Sequence, residues 1–582
     1  MKVAVIGSGL AGLTTAYLLR KEGVEVYLIE KSSKLGFHSQ SVEIPLSPSS
    51  QGPDKSKSTR NGRRGMEREV TEKVTEDKWI VDVPMRGFQG GYYPLLLSLY
   101  HHLQIPLETH NYKFSFSSSQ STYFIHSGSS GYSIPSLPSR AYQNIFNLVR
   151  DIATFVGVAI CYSLLVILSF VAYHDLLPSC LCNPGSRKTE NEMTLKEFTS
   201  ILSAFLTQPF TIPIIEYEVW TPLGELFESF FISKLVIPLF SSVGTMTTKD
   251  CLQLPMKVIL EYIHLTLGTD HYQLSKGYTA STIAELLAKP IREQGEGYVK
   301  LSTEIMGLEY DGGVSIKMKH TTAQRQGQQE GQEEELITVD KVVLATPASI
   351  AKILLEGLES SLNENRQIKE GRRVGQMRAA LGKVNYRETI VVTHRDTSIL
   401  PSSKDRRDLN FFLPDTSFSS RPSPETHPIP YLTPTENAIY TQATQIISPP
   451  KRLQRRGRTD AMVLQTTNPA VAIDTSKVLS VSKLERALPL KQPNKILPQL
   501  RSSSLDSCVY ISGSYAYPGI PLLEGCVGSA KMTVESLLAD AYERRTGFVR
   551  PILPAGKLDW EVGKGGRFAK TWRWRWYEST WR

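Results

Sequence analysis

The chain opens on a continuous apolar run, Lys2–Ile6 (KVAVI), the pattern of a strand buried on both faces. A glycine turn, Gly7-Ser8-Gly9-Leu10-Ala11-Gly12, follows at once, and Leu13–Glu22 is rich in Leu and Ala, as a helix would be. Glu25–Ile29 (EVYLI) repeats the strand pattern and is closed by an acid, Glu30. Strand, glycine turn, helix, strand and acid within about 30 residues form the context of a dinucleotide-binding unit. A second glycine, Gly36, comes six residues after the acid. Far down the chain the pattern returns: Val509-Tyr510-Ile511 reads as a strand, Gly513 as its turn, and Cys526–Ala539 as a helix.

Between these ends the pattern changes repeatedly. Pro45–Lys78 has no apolar period and reads as a disordered insertion. Gly313–Lys319 and Leu336–Val339 read as strands flanking a polar hairpin tip, Gln324–Glu335, and Asp340–Ala345 reads as a buried strand. Ser402–Arg458 mixes Pro, Ser, Thr and basic residues in the manner of variable loops. Ile152–Tyr173 carries no charge, and as a helix its 22 residues span about 33 Å, enough to cross a hydrocarbon core.

The glycines have distinct physical jobs. Gly7 permits the tight turn, Gly9 lets the backbone approach a pyrophosphate, and Gly12 lets helix and strand pack closely. The free N–H groups and positive dipole end at Leu10 and Ala11 favour phosphate, and Glu30 can accept both hydroxyls of an adenosine ribose. A signal peptide is a poorer reading of this segment, because it lacks a small-residue cleavage site.

Composition narrows the class. Apolar residues make up 41% and charged residues 21% of 582, the balance of a folded protein of two or three domains. Lys+Arg 66 against Asp+Glu 57 leaves +9, but the excess is concentrated in loops and the tail and does not argue for nucleic acid. Six cysteines without a C-x-x-C pair exclude a disulfide scaffold or a zinc ribbon and point to a reducing compartment. His101 and His102 lack ligand company, so no metal site is expected.

The segments Lys2–Ser41, Asp82-Val83-Pro84 through Tyr92-Tyr93-Pro94, Leu274–Leu308, Val342–Pro347, Val392–Pro401 and Tyr510–Lys531 together resemble the flavin-containing amine oxidase superfamily, related to protoporphyrinogen oxidase and phytoene desaturase. The closest likeness is to a branch of fungal FAD-dependent oxidoreductases. The resemblance implies an α/β fold: a doubly wound FAD domain built from discontinuous segments, with an inserted α+β substrate domain. FAD-domain pieces are expected at 1–44, 274–350 and 505–545, substrate-domain pieces at 79–273 and 351–504, the insertion at 45–78 and a basic aromatic tail at 546–582. Carried over, the FAD contacts would include Lys31 and Gly36 after the acid, Ile305 against the adenine, Gly513 at the phosphates, and the backbone of Leu522 and Leu523 at the flavin. The sequence departs from the pattern at Gly36-Phe37, where relatives have two glycines, and at His38, where Arg is usual. No cysteine stands in a pattern for a covalent flavin link.

These features lead to an FAD-dependent oxidoreductase that takes a hydride from an apolar or amine-bearing small molecule, with a lipid-like substrate in view. An NAD(P)-binding dehydrogenase and a catalytically inactive membrane-anchored flavoprotein are the alternatives. Catalytic residues cannot be named; His394 and Asp396 read either as cavity-lining groups or as ordinary strand-end hydrogen bonding. A single crossing by Ile152–Tyr173 would put the two halves of one FAD domain on opposite sides of a bilayer. A monotopic or re-entrant anchor, a hairpin with a second span or a buried helix remain. Leu223–Val243 is a poor second span because it contains Glu225, Glu228 and Lys234. Membrane association with a cytosolic catalytic domain is the expectation, supported by the alternating aromatic and basic residues Trp572–Tyr577.

Overall fold

The computed structural model describes residues 1–36, 41–45, 79–84, 87–119, 121–126, 134–176, 193–207, 210–212, 217–219, 223–275, 277–321, 332–414, 439–449, 462–501 and 507–546. All but the first residue of the expected insertion over 45–78, residues 324–331 of the expected hairpin tip Gln324–Glu335, most of the loop region after 414, His38 and the tail from 547 lie outside these residues.

A parallel sheet organises one half of the molecule. Its strands are β1 (Lys2–Ile6), β2 (Glu25–Ile29), β3 (Val299–Lys300), β4 (Lys341–Leu344) and β5 (Val509–Ile511), in the spatial order β3-β2-β1-β4-β5. Ile6 pairs with Ile29 on one side and Leu344 on the other, and Leu344 pairs with Ile511. Four carboxyl ends therefore share one edge, although their residues come from both termini and the middle of the chain.

The helices used below are α1 (Leu10–Lys21), α2 (Pro94–His102), α3 (Ile145–Tyr173), α4 (Leu223–Gly244), α5 (Ala280–Arg292), α6 (Ala348–Glu364), α7 (Ile368–Leu381) and α8 (Leu523–Thr546). Because side chains alternate along a strand, the sheet feeds two cores. Val3, Val5, Val26 and Leu28 face α1, α2, α5 and α8. Ala4, Ile6, Val342 and Leu344 face α6, α7, helix Pro493–Leu500 and a three-stranded sheet, Thr303–Tyr310, Val314–Thr321 and Gln332–Val339. The strands are thus covered on both faces, as the unbroken apolar runs require.

Several boundaries move from their sequence positions. The expected division between 350 and 351 falls inside α6, which with α7 covers the sheet rather than joining the substrate part. Strand Gln332–Val339 takes in Gln332, Glu333, Glu334 and Glu335, which were expected in the hairpin tip. The carboxylate of Glu335 accepts from Lys300 Nζ at 2.9 Å and pairs with His320 Nε2 at 2.6 Å, so a polar residue has strand-bound partners. Helix α8 begins at Leu523, three residues before the expected Cys526, and runs on to Thr546.

The second half carries a seven-stranded sheet in the order Val478–Ala487, Tyr386–His394, Val463–Thr467, Gln442–Ile447, Leu409–Phe412, Phe114–Ser117 and Thr122–His126. Beside it lies a helical lobe of α3, α4 and Leu195–Thr207. Helix α3 begins seven residues before the uncharged run, capped by the Asn144 side chain, which accepts from Asn147 N at 2.8 Å. Its buried Asp151 pairs with Arg140 at 2.9 Å, which offsets the cost of placing a carboxylate in the packed face. Helix α4 is wound as a π-helix over Leu226–Val236 and crosses α3 where Gly157 meets Leu226.

Candidate functional site

The shared strand edge gathers most of the sequence-selected residues. Gly7, at φ +102°, turns the chain directly after β1, and its N–H donates to Ile29 O at 2.8 Å. A Cβ here would stand 2.6 Å from Ala345 O, so glycine is needed for both conformation and space. A Cβ on Gly12 would overlap the Gly7 carbonyl and reach 3.0 Å from Ala345 Cβ, which ties α1 closely to the turn and to the end of β4. Around Gly9 the result is the opposite: an added Cβ meets nothing within 4 Å. The turn is tight where it touches protein and open where a ligand would approach.

Helix α1 points its amino end into that opening. Its first internal bond is Leu13 N to Gly9 O at 2.9 Å, so the N–H groups of Leu10, Ala11 and Gly12 have no acceptor within the helix. Glu30 stands at the end of the neighbouring strand. One carboxylate oxygen accepts from Ser8 N and Ser8 Oγ, both at 2.7 Å, and the other from Ser32 N at 2.8 Å. Gly36 N donates to the same Ser8 hydroxyl at 3.4 Å. Ser8, 1% exposed, is the joint between the glycine turn, the acid and the second turn. Sequence reasoning passed over it as a spacer, though a hydroxyl residue between two turn glycines was a readable signal.

The carboxy-terminal return reaches the same edge two strands away, at about 10 Å for a spacing of 4.7–4.9 Å per strand. Gly513 follows β5 and donates its N–H to Ser529 Oγ at 3.0 Å. Ser512 is joined to α1 through the hydroxyl of Thr15 at 3.1 Å. Leu522 and Leu523 form the entry to α8, whose first recorded internal bond is Cys526 N to Leu522 O at 3.3 Å. The buried Glu524 accepts from Leu95 N at 3.1 Å and Leu96 N at 3.0 Å, and so fastens the start of α8 to the start of α2. Gly519, at φ +91°, lies against the Tyr92 hydroxyl, which accepts from Ile520 N at 2.9 Å. Glu524 and Tyr92 were not singled out from sequence; their partners lie more than 400 positions away.

Two sequence candidates sit apart from the turn. Lys31 is exposed and pairs with Glu304 at 2.6 Å. Ile305 is half-buried against the core beneath α6 and α7, but its strand is pinned to the site because Thr303 N donates to Glu30 O at 2.9 Å.

His394 is fully buried in the seven-stranded sheet. Its Nε2 meets Thr466 Oγ1 at 2.8 Å and its Nδ1 accepts from Asp396 N at 3.1 Å. Burial pushes the imidazole down to about 4 despite the nearby Asp396. Burial raises the Asp396 carboxyl, but hydrogen bonds from Asp474 N, Ser398 N and Ser398 Oγ, together with Lys477, bring it down to about 2. Both residues are thus occupied in strand-end hydrogen bonding. Cys508 is buried beside Glu370, and among the described residues no group of His, Cys, Asp and Glu could hold a metal ion.

Residues 5–103 match the NAD(P)-binding Rossmann-like domain family. The whole chain is similar to cyclohexylamine oxidase from Brevibacterium oxydans IH-35A, at 12% identity and a TM-score of 0.50, over 94% of this chain and 99% of that one. It is also similar to a protein assigned as a protoporphyrinogen oxidase from Exiguobacterium sp. 255-15, at 14% identity and a TM-score of 0.49, over 92% and 98% of the two chains. A putrescine oxidase redesigned in its cofactor binding aligns at 11% identity and a TM-score of 0.48, over 92% and 99%. No curated protein matches the sequence. The chain shares its overall fold with cyclohexylamine oxidase. In that fold, the Rossmann-like unit is assembled from discontinuous strands and the remaining elements form an inserted second domain.

Proposed function

We propose that this chain is an FAD-dependent oxidoreductase of the amine-oxidase type that oxidises an apolar or amine-bearing small molecule. The observation that carries the proposal is the convergence on one strand edge of the open Gly9 turn, the α1 amino end, Glu30 and the β5–α8 return. The donor set suits the cofactor. Unpaired N–H groups and a positive helix end fit a diphosphate, and Glu30 fits a ribose diol. Gly513 and the Leu522–Leu523 entry would hold the far side of the ligand. A bound flavin would supply an acceptor for a hydride from the substrate carbon. The chain's own part is to bind and orient: the clamp of Glu524 on α2 fixes the α8 amino end, and the Ser8–Glu30 contacts fix the turn.

The test is the visible spectrum of the purified protein and of Gly9→Val. Wild type should carry flavin, and the variant should fold but be colourless, because the new side chain fills the open space beside the turn. Full flavin occupancy in Gly9→Val, or failure of wild type to take up FAD while it binds a nicotinamide cofactor, would overturn the proposal. Anaerobic bleaching across amines, polyamines and lipids would then name the substrate class.

A further inference from the structure

Helix α3 leaves an apolar stripe uncovered. Ile145, Val149, Ile152, Val156, Ile160 and Ile167 recur at intervals of three, four and seven residues and are all exposed, from 47% at Ile152 to 63% at Ile145. Phe146, at 83%, broadens the stripe at its start. The opposite side, from Asp151 through Val158, Cys161, Leu165 and Leu168 to Ala172, is buried against the protein. We propose that this stripe seats the protein on a lipid bilayer as a monotopic anchor, with α3 lying along the membrane plane rather than across it.

Three observations select lipid and this orientation. Ser163, the hydroxyl residue within the stripe, donates to Ala159 O at 2.8 Å. The stripe therefore offers no directional hydrogen-bonding handle. Protein partners carry about one hydrogen bond per 100–200 Å² of interface, whereas an acyl phase asks for none and penalises any unmet donor. Second, charge is absent from Ile152 to Tyr173 and resumes at both ends, with Arg150 before it and Asp175, paired to Lys257 at 2.8 Å, after it. Third, the protein body packs along the helix from Asp151 to Ala172, and the neighbouring α4 exposes Glu225, Glu228 and Lys234. A helix standing across the bilayer would drag those charges into hydrocarbon. Lying in the plane, α3 immerses only its uncovered side to the depth typical of interfacial helices.

The experiment is flotation of the full-length protein with phosphatidylcholine vesicles, at low and at high salt. Wild type is expected to float in both. The Val156→Glu/Ile160→Glu double variant should lose at least tenfold in partitioning while keeping its melting midpoint, since both positions are exposed. Should that variant misfold, Val156→Ser/Ile160→Ser gives the same reading with a smaller loss. Wild type that stays with the soluble fraction overturns the proposal. Binding that disappears in high salt assigns attachment to the basic tail and overturns it too. A wild-type dimer that the double variant converts to monomer shows that a second copy covers the stripe, with the same consequence.

Discussion

Helices α3 and α4 are, among the described residues, the two long and apolar enough to cross a membrane. The share of each apolar window that is buried differs little, 39% for α3 and 50% for α4. What they leave outside differs completely. Helix α4 buries Phe227, Phe231, Ile232, Leu235 and Val236 and shows Glu225, Glu228, Ser229 and Lys234 to solvent. Helix α3 buries Gly157, Cys161 and Ala172 and shows isoleucine, valine and phenylalanine. The lesson is that the buried share alone does not tell the two helices apart; the identity of the uncovered side chains does.

The comparison makes its strongest demand on α4. Phe227 is fully buried, so Phe227→Ala should cost about 3–5 kcal/mol through lost burial and a residual cavity. Thermal or urea unfolding measures it. A cost near zero would mean that α4 is not the packed partner of the pair.

Acid provides a control from outside the pair. His394 is held neutral by burial, with its value moved from 6.5 to about 4. A lowered histidine gives stability that is fully present above pH 6.5 and is lost as pH falls toward 4, because the unfolded chain takes the proton first. The displacement corresponds to roughly 3 kcal/mol. His271 is moved in the same direction, also to about 4, chiefly by burial. His394→Gln should therefore flatten the decline between pH 6.5 and 4 without abolishing it. An unchanged pH slope in the unfolding midpoint would refute the assignment. The stripe residues do not titrate, so the part of the loss that His394→Gln removes belongs to the seven-stranded sheet.

The crossing of the two helices is the next most sensitive point. A Cβ on Gly157 would collide with the Leu226 side chain. Leu226 can turn aside in part, so Gly157→Val should cost about 1–3 kcal/mol. Gly157→Ala should cost less. If both variants match wild type in urea midpoint, the helices do not approach closely at this crossing.

What the sequence disclosed follows the same division. The unit from Lys2 to Glu30 was legible because its parts are local: apolar strands, glycines at fixed spacing and a closing acid, all within one βαβ segment. The start of α8 was placed three residues late because Gly525 reads as the end of the glycine loop that precedes the helix. In the fold, Gly525 approaches Ser514 O and Gly528 approaches the Tyr517 ring, so both are sites of close packing inside the helix. Glu524 was invisible as a site residue because its partners, the N–H groups of Leu95 and Leu96, are brought to it only by folding. For α3, the uncharged run disclosed a nonaqueous environment. Which side meets protein depends on where Leu226 and the rest of the lobe arrive, and no local period encodes that.

The smallest expected effect tests α3 most directly. Ile160 is 49% exposed, and its neighbours along the stripe are also uncovered. In aqueous solution, Ile160→Ser therefore removes little contact that folding creates. Substitutions at such positions usually change stability by within about 0.5 kcal/mol. The new hydroxyl can bond to the carbonyl four residues earlier, as Ser163 does to Ala159, so it adds no unmet donor. The unfolding midpoint of detergent-free protein should accordingly stay at the wild-type value. A loss of 2 kcal/mol or more, about the cost of emptying a packed core position, would show that Ile160 is covered by protein in solution. That outcome would make α3 a core helix like α4 and erase the distinction between them.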